Sequence, residues 1–140
     1  MFRRDFLILT AAVSTVPALP ALAGFDTGIE YEPGMVTKRL AAGETLFLDF
    51  SASWCSTCRA QASVIKTLQA ENPAYLDNVT FVSIDWDSYA DDDLTKSLNI
   101  PRRSTLVVLK GNQELGRIVA GTSRKDIKAL MDTALGAATS

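Results

Sequence analysis

A run of apolar residues leads directly into the two cysteines of the chain in the segment Leu46-Phe47-Leu48-Asp49-Phe50-Ser51-Ala52-Ser53-Trp54-Cys55-Ser56-Thr57-Cys58. The first half of this segment is short and apolar and follows Gly43, which predicts a buried strand. The second half opens an amphipathic helix, because Cys58, Ala62 and Ile65 fall on one face at helical spacing. The two cysteines are therefore predicted to lie at the turn between a strand and a helix.

This position favours an ionised sulfur. A helix N-terminus carries unpaired backbone N–H groups and a partial positive charge, and both stabilise a thiolate relative to a thiol. Cys-x-x-Cys pairs in this setting have thiol pKa values well below that of a free cysteine, and the thiolate is the attacking species. The spacing of Cys55 and Cys58 therefore predicts a redox-active pair.

Two structural uses of the cysteines compete with redox chemistry. A permanent disulfide that closes so small a loop would remove little entropy from the unfolded chain. A structural zinc site usually takes four Cys or His ligands, whereas this chain has two cysteines and no histidine. A metal ion or iron–sulfur cluster shared between two chains escapes that objection, and a non-catalytic metal- or cluster-binding dimer stays open as the alternative function.

Residues 1–23 have the features of an export signal. Arg3 and Arg4 precede an uncharged, mostly apolar run, and Ala21-Leu22-Ala23 supplies a small-x-small cleavage site before Gly24. The paired arginines resemble the twin-arginine export signal, with the general secretory route as the alternative. An uncleaved membrane anchor also stays open, since the run just reaches spanning length. We predict a signal peptide at 1–23 and a periplasmic protein.

Removal of the signal peptide leaves residues 24–140, enough for one domain with a single core. The removed segment carries two positive charges and one negative charge, so the formal net charge changes from −2 to −3. This weakly acidic balance gives no sign of nucleic-acid binding.

The rest of the chain alternates helical and strand patterns in the order helix–β–α–β–α–β–β–α. A strand, a helix and a strand in succession predict parallel strands joined by a crossover. A tight turn at Gly111-Asn112 predicts an antiparallel hairpin. The predicted elements are a loose lead-in at 24–32, helices at 33–41, 56–70, 92–98 and from 123 onward, and strands at 45–51, 79–85, 105–110 and 114–120.

This pattern, with Trp-Cys-x-x-Cys after a hydrophobic strand, resembles the thioredoxin superfamily from about Thr45 to Leu135. The resemblance implies an α/β fold with a central mixed β-sheet flanked by helices, here with an extra N-terminal helix. Asp49 falls where the family keeps a buried aspartate, and Gly121 falls where a glycine follows the last strand. The activity implied is that of a protein-disulfide oxidoreductase.

The resemblance also implies a role for each residue near the motif. Cys55 would be the nucleophile and the more exposed sulfur, and Cys58 would resolve the mixed disulfide. Asp49 would accept the proton of Cys58, directly or through water. Trp54 would shield the sulfurs and shape the surface on which a substrate docks, although packing against the helix start is its structural alternative.

The chain departs from the family pattern in one loop. Thioredoxins place a cis-proline, followed by Thr, against the first cysteine, and here Ser104 and Thr105 take those places. A cis bond before a non-proline residue costs about 3–4 kcal/mol, so we expect the Arg103–Ser104 bond to be trans. The N–H and hydroxyl of Ser104 are candidate donors to Cys55 or to a bound substrate, with an ordinary loop residue as the alternative. Trp54, Ser104 and Thr105 are the predicted substrate-binding residues.

No flavin or nicotinamide fingerprint is present, so we predict no cofactor beyond the Cys55–Cys58 disulfide itself. Electrons would then come from a partner thiol protein, and the substrate would be a disulfide-containing protein. The region is also similar to the C-terminal domain of the membrane thiol:disulfide interchange protein that carries electrons into the periplasm, which favours a reductase supplied by such a protein. Ser56-Thr57 between the cysteines does not determine the direction of electron flow.

Overall fold

The computed structural model describes residues 27–140. The predicted signal peptide at 1–23 lies outside the described residues, as do residues 24–26. From residue 27 onward, no helix combines the length and the apolar character that a membrane span requires.

The secondary structure follows the predicted alternation closely. The predicted strands at 45–51 and 105–110 have the observed bounds, and the predicted ends of the other elements lie within two residues of the observed ones. In chain order the elements are β1 (Ile29–Glu30), α1 (Met35–Ala41), β2 (Thr45–Ser51), α2 (Ser56–Glu71), α3 (Ala74–Asn78), β3 (Thr80–Asp85), α4 (Trp86–Tyr89), α5 (Asp93–Ser97), β4 (Thr105–Lys110), β5 (Gln113–Val119) and α6 (Arg124–Ala138). Of these, β1, α3 and α4 were not predicted.

The strands form one mixed sheet in the order β1-β3-β2-β4-β5. Strand β2 pairs in parallel with β3 and antiparallel with β4, and β4 and β5 form the predicted antiparallel hairpin. The parallel pairing of β2 and β3 around α2 agrees with the predicted crossover. Because β2 is the central strand, the residues that follow it lie at its carboxyl end, in the middle of the sheet.

Alternation along β2 divides the core into two layers, one on each face of the sheet. On one face Phe47 packs with residues of α2, α3 and α6, including Ile65 and Met131. On the other face Leu48 packs with Val36 of α1 and with residues around α4 and α5. Successive strand residues point to opposite faces, so Asp49 shares the face of Phe47, which is the face covered by the cysteine helix α2.

The prediction of a loose lead-in is wrong for residues 27–32. Strand β1 pairs in parallel with β3 at the sheet edge, and Tyr31 is buried, with its N–H donating to the Ser83 carbonyl at 2.9 Å. Gly28 runs so close to β3 that an added Cβ would lie 2.1 Å from the Phe81 carbonyl oxygen. A two-residue strand is too short to show a hydrophobic period, so its pairing depends on the tertiary partner.

Candidate active site

Cys55 is the N-cap residue of α2. Its extended backbone turns the chain into the helix, and its Sγ accepts a hydrogen bond from the Cys58 N–H at 3.2 Å. One of the helix's unpaired N–H groups is thereby bonded to sulfur, as the strand-to-helix position predicts. Both cysteines are free thiols, and Cys55 is the more exposed at 3%, compared with 0% for Cys58.

Ser104 lies between the two sulfurs. Its Oγ is 3.2 Å from the Cys55 Sγ and 3.0 Å from the Cys58 Sγ, and the residue is fully buried. The contact with Cys55 was predicted, whereas the contact with Cys58 was not. A hydroxyl carries one proton, so Ser104 can donate to one sulfur at a time.

The two thiols have pKa values shifted in opposite directions. Burial raises the pKa of Cys55, but hydrogen bonds from Cys58 and Ser104, with a smaller contribution from Arg103, outweigh it and lower that pKa from 9.0 to about 7. Burial raises the pKa of Cys58, and the neighbouring Cys55 raises it further. Cys55 is therefore the sulfur that ionises first as the pH rises, while the proton stays on Cys58.

Asp49 is fully buried, as predicted. Burial raises the pKa of its carboxyl from 3.8 to about 7, while a hydrogen bond from the Thr27 hydroxyl to Oδ2 at 2.9 Å opposes the rise. The negative charge of Cys55 raises the pKa further. Its other oxygen, Oδ1, has no hydrogen-bond partner among residues 27–140. Thr27 belongs to the segment predicted as a loose lead-in, so this donor was not predicted.

An exposed tryptophan forms the rim of the site. Trp54 is 57% exposed, and its indole N–H donates to both carboxylate oxygens of Asp87, at 3.0 and 3.1 Å. The guanidinium carbon of Arg103 lies 4.4 Å from the centroid of the Trp54 ring, within the range of a cation–π contact. A different tryptophan, Trp86, packs against the cluster that contains both cysteines.

The family model of thioredoxin matches residues 31–133, which include every predicted site residue. This chain belongs to the thioredoxin family. It is 32% identical to thioredoxin H5 from Oryza sativa subsp. japonica over 79 residues, covering 56% of this chain and 54% of that protein. It is also 32% identical to thioredoxin H2 from Arabidopsis thaliana over 112 residues, covering 71% of this chain and 78% of that protein. The chain thus spans little more than half the length of some relatives.

Solved structures show the same fold. Trxlp from Edwardsiella tarda EIB202 superposes with a TM-score of 0.63 at 24% identity, covering 74% of this chain and 98% of that one. Thioredoxin from Malassezia sympodialis, Mala s 13, gives a TM-score of 0.63 at 22% identity, covering 76% and 91%. At these identities the likeness establishes the thioredoxin fold, with its mixed sheet flanked by helices.

Ser104 departs from the thioredoxin cis-proline in its backbone as well as in its side chain. No cis peptide bond occurs among the described residues, so the Arg103–Ser104 bond is trans as expected. Ser104 adopts the left-handed conformation, with φ of 63°, and its N–H donates to the Phe50 carbonyl at 2.7 Å. Proline fits neither feature, because its φ is fixed near −65° and it has no N–H.

Thr105 differs from its predicted place at the substrate surface. It is fully buried, and its hydroxyl donates to the Arg102 carbonyl at 2.7 Å. Strand β4 begins at Thr105 and lies between β2 and β5, so pairing on both sides encloses the residue. Its side chain braces the loop before β4, and sequence position alone does not reveal this inward orientation.

Arg103 was not among the predicted site residues, but the structure places it at the site. The side chain is half-buried, lies over Trp54 and contributes to lowering the Cys55 pKa. The available signal was its position next to Ser104, in the loop that meets the first cysteine. Arg103 thus belongs to both the rim and the electrostatic surroundings of Cys55.

Proposed function

We propose that this thioredoxin-family protein is a thiol–disulfide oxidoreductase that acts on protein disulfides through Cys55 and Cys58. One observation carries the proposal: the Cys55 sulfur caps α2 and has a pKa lowered to about 7, beside a Cys58 thiol whose pKa is raised. A nucleophilic thiol works best when its pKa lies near the ambient pH. About half of Cys55 is then ionised at neutral pH, and a still lower pKa would add thiolate only at the expense of intrinsic nucleophilicity.

The reaction consists of two exchange steps. The Cys55 thiolate attacks one sulfur of the substrate disulfide, a bond forms between them, and the other substrate sulfur leaves as a thiolate that takes up a proton. Cys58 then loses its proton and attacks the Cys55 Sγ, which forms the Cys55–Cys58 disulfide and releases the second substrate thiol. Two electrons and two protons pass to the substrate.

Asp49 is the proposed acceptor of the Cys58 proton. Its carboxyl has a pKa of about 7, and a general base is most effective when its pKa lies near the working pH. The hydrogen-bond donor to Asp49 is Thr27, while the Cys58 Sγ contacts Ser104. We therefore infer that the proton travels from Cys58 to Asp49 through a water molecule.

The rim of the site, formed by Trp54, favours a protein as the substrate. Trp54 precedes Cys55 and exposes an aromatic surface that Asp87 and Arg103 hold in place. Exposed aromatic residues are frequent anchors in protein–protein contacts. We propose that Trp54 and the Ser104 loop contact the polypeptide around the substrate disulfide.

We further infer that the protein is a reductase exported to the periplasm, which receives electrons from a thiol protein such as a membrane thiol:disulfide interchange protein. The export signal predicted at 1–23 supports the location. Export together with the Cys-x-x-Cys spacing supports a disulfide that is made and broken in the periplasm. The role requires no cofactor beyond the Cys55–Cys58 disulfide.

Insulin reduction by the purified protein, with dithiothreitol as electron donor, tests the proposal. We expect Cys55→Ser to abolish turnover and Cys58→Ser to accumulate a mixed disulfide with the substrate, because only the second step is blocked. Trapping by Cys55→Ser instead of Cys58→Ser would reverse the assigned roles. No turnover by the unaltered protein, together with stoichiometric metal or iron–sulfur absorbance after anaerobic purification, would favour the metal-binding dimer.

The direction of electron flow is tested by equilibrating the protein with glutathione or dithiothreitol buffers. A reductase should have a potential near that of thioredoxin, about −270 mV. A value near that of the strong periplasmic oxidase, about −120 mV, would make the protein an oxidase.

A further inference from the structure

A buried glutamine connects the cysteine helix to two loops beside the sulfurs. Gln61 lies three residues after Cys58 on α2 and is fully buried. Its side-chain Nε2 donates to the Ser104 carbonyl and to the Gly121 carbonyl, each at 2.9 Å. Both protons of the amide are thereby used, and this determines which end of the side chain faces the two carbonyls.

The two loops flank the β4–β5 hairpin and lie side by side at its open end, where Thr105 pairs with Val119. Ser104 immediately precedes β4, and Gly121 lies two residues after the end of β5. The Ser104 carbonyl also accepts a hydrogen bond from the Ala120 N–H at 2.8 Å. Gln61 therefore ties both loops to the helix that carries Cys58.

Ser104 has a conformation that needs such restraint. Its left-handed φ of 63° is unfavourable for a residue with a Cβ, so it persists only where the surroundings impose it. The imposed conformation aims the hydroxyl at two sulfurs rather than at solvent. The restraint must be set relative to α2, because α2 holds Cys58 and begins at the Cys55 cap.

We propose that Gln61 is a positioning residue, which holds the Ser104 hydroxyl between the sulfurs of Cys55 and Cys58. Residues three apart on a helix share one face, so Gln61 and Cys58 present their side chains to the same loop. Gln61 sets the distance from the helix to the Ser104 backbone, and the Ser104 hydroxyl then reaches both sulfurs. The inference rests on the proposed dithiol chemistry and adds a residue to it.

The competing explanation is that Gln61 only satisfies buried carbonyls and so contributes to stability alone. Gln69 provides a matched control on the same helix. It is also buried, and its Nε2 donates to the carbonyl of Thr27, the donor to Asp49, and not to the Ser104 loop. Removal of either amide removes buried hydrogen bonds, but only Gln61 reaches Ser104.

The test compares Gln61→Met and Gln69→Met in the full chain, with both cysteines reduced. We measure the pH dependence of iodoacetamide alkylation at Cys55, located by mass spectrometry, together with denaturant unfolding. For Gln61→Met we expect alkylation at pH 7 to slow roughly fivefold, the fall in thiolate fraction for a one-unit rise in pKa from about 7. Gln69→Met should lose stability without this change. Gln61→Leu provides a second variant if Gln61→Met fails to fold.

A double variant tests whether Gln61 acts through Ser104. If it does, Gln61→Met should slow alkylation very little further in a Ser104→Ala protein, since the hydroxyl to be positioned is already absent. Equal slowing with and without the Ser104 hydroxyl would overturn the proposal, as would slowing in Gln69→Met or none in either Gln61 variant. Alkylation needs no substrate turnover, so this result is separable from a failure of insulin reduction.

Discussion

Two buried groups of the same segment, the Cys55 thiol and the Asp49 carboxyl, reach similar pKa values from opposite directions. The pKa of Cys55 is lowered from 9.0 to about 7, and that of Asp49 is raised from 3.8 to about 7. Burial disfavours the charged form in both cases. The difference between them therefore comes from the donors that each group receives.

Cys55 sits where donors converge, whereas Asp49 does not. As the cap of α2, the Cys55 sulfur meets a helix N–H that has no partner within the helix, and the Ser104 loop adds a hydroxyl. Asp49 lies in the middle of β2, where the neighbouring N–H groups belong to the sheet. It receives a hydrogen bond from Thr27, and its Oδ1 has no partner among residues 27–140. The pKa of a buried acid is thus lowered or raised from its ordinary value according to the donors that its place in the secondary structure supplies.

The largest effect is expected for Asp49→Asn, which removes the titrating carboxyl. Between pH 3.8 and about 7 the folded protein holds a proton at Asp49 that the unfolded chain has released. The resulting stabilisation is full below pH 3.8 and is lost as the pH rises through about 7. Asn does not titrate. The free energy of unfolding of the variant, minus that of the unaltered protein, should therefore increase by roughly 2–3 kcal/mol from pH 5 to pH 8.

Urea unfolding of both proteins at these two pH values measures the effect. Taking the difference between the proteins cancels the other titrating groups. A difference that does not change with pH would show that Asp49 is ionised in the folded state, and the contrast with Cys55 would then be lost.

A smaller effect is expected when the Cys55 sulfur loses the Ser104 hydroxyl as a donor. Ser104→Ala should raise the Cys55 pKa by about one to two units, since a hydrogen bond to a charged group contributes about 1.5–3 kcal/mol. The ultraviolet absorbance of the thiolate, followed against pH, measures this change. Ser104→Gly is the control for backbone strain, because glycine accepts the left-handed φ of 63°. A rise in Ser104→Ala but not in Ser104→Gly would attribute the effect to strain instead of to the hydroxyl.

The smallest effect is expected when Asp49 loses the hydrogen bond that it accepts from Thr27. Thr27→Val keeps the side-chain shape but removes the donor to Oδ2, so the Asp49 pKa should rise above about 7. Removal of one hydrogen bond at this site should cost about 1 kcal/mol of stability at pH 8, where Asp49 is charged, and less at pH 5. Carboxyl-carbon NMR shifts of Asp49 report the pKa directly. An unchanged pKa would exclude Thr27 as the group that controls Asp49.

The sequence predicted the parts of the site that depend on local pattern or on the family resemblance. The bounds of β2, the helix that begins after Cys55 and the buried place of Asp49 are all confirmed. The contact of Ser104 with Cys55 is also confirmed. The loose lead-in is wrong, because sheet pairing orders it, and the side chain of Thr105, predicted to bind substrate, is enclosed by the sheet.

The sequence by itself determined where a strand ends and a helix begins, and that two sulfurs share that turn. These features arise within one segment, from apolar periodicity and from the unpaired N–H groups of a helix start. The tertiary structure decided the distant donors, which are the Ser104 hydroxyl at Cys55 and the Thr27 hydroxyl at Asp49, whereas the Cys58 donor to Cys55 belongs to the local segment. Ser104 is 49 residues from Cys55, and Thr27 is 22 residues from Asp49, so only packing of the sheet brings them together. A charge buried in the core depends on such distant donors, because it has lost the water that would otherwise solvate it.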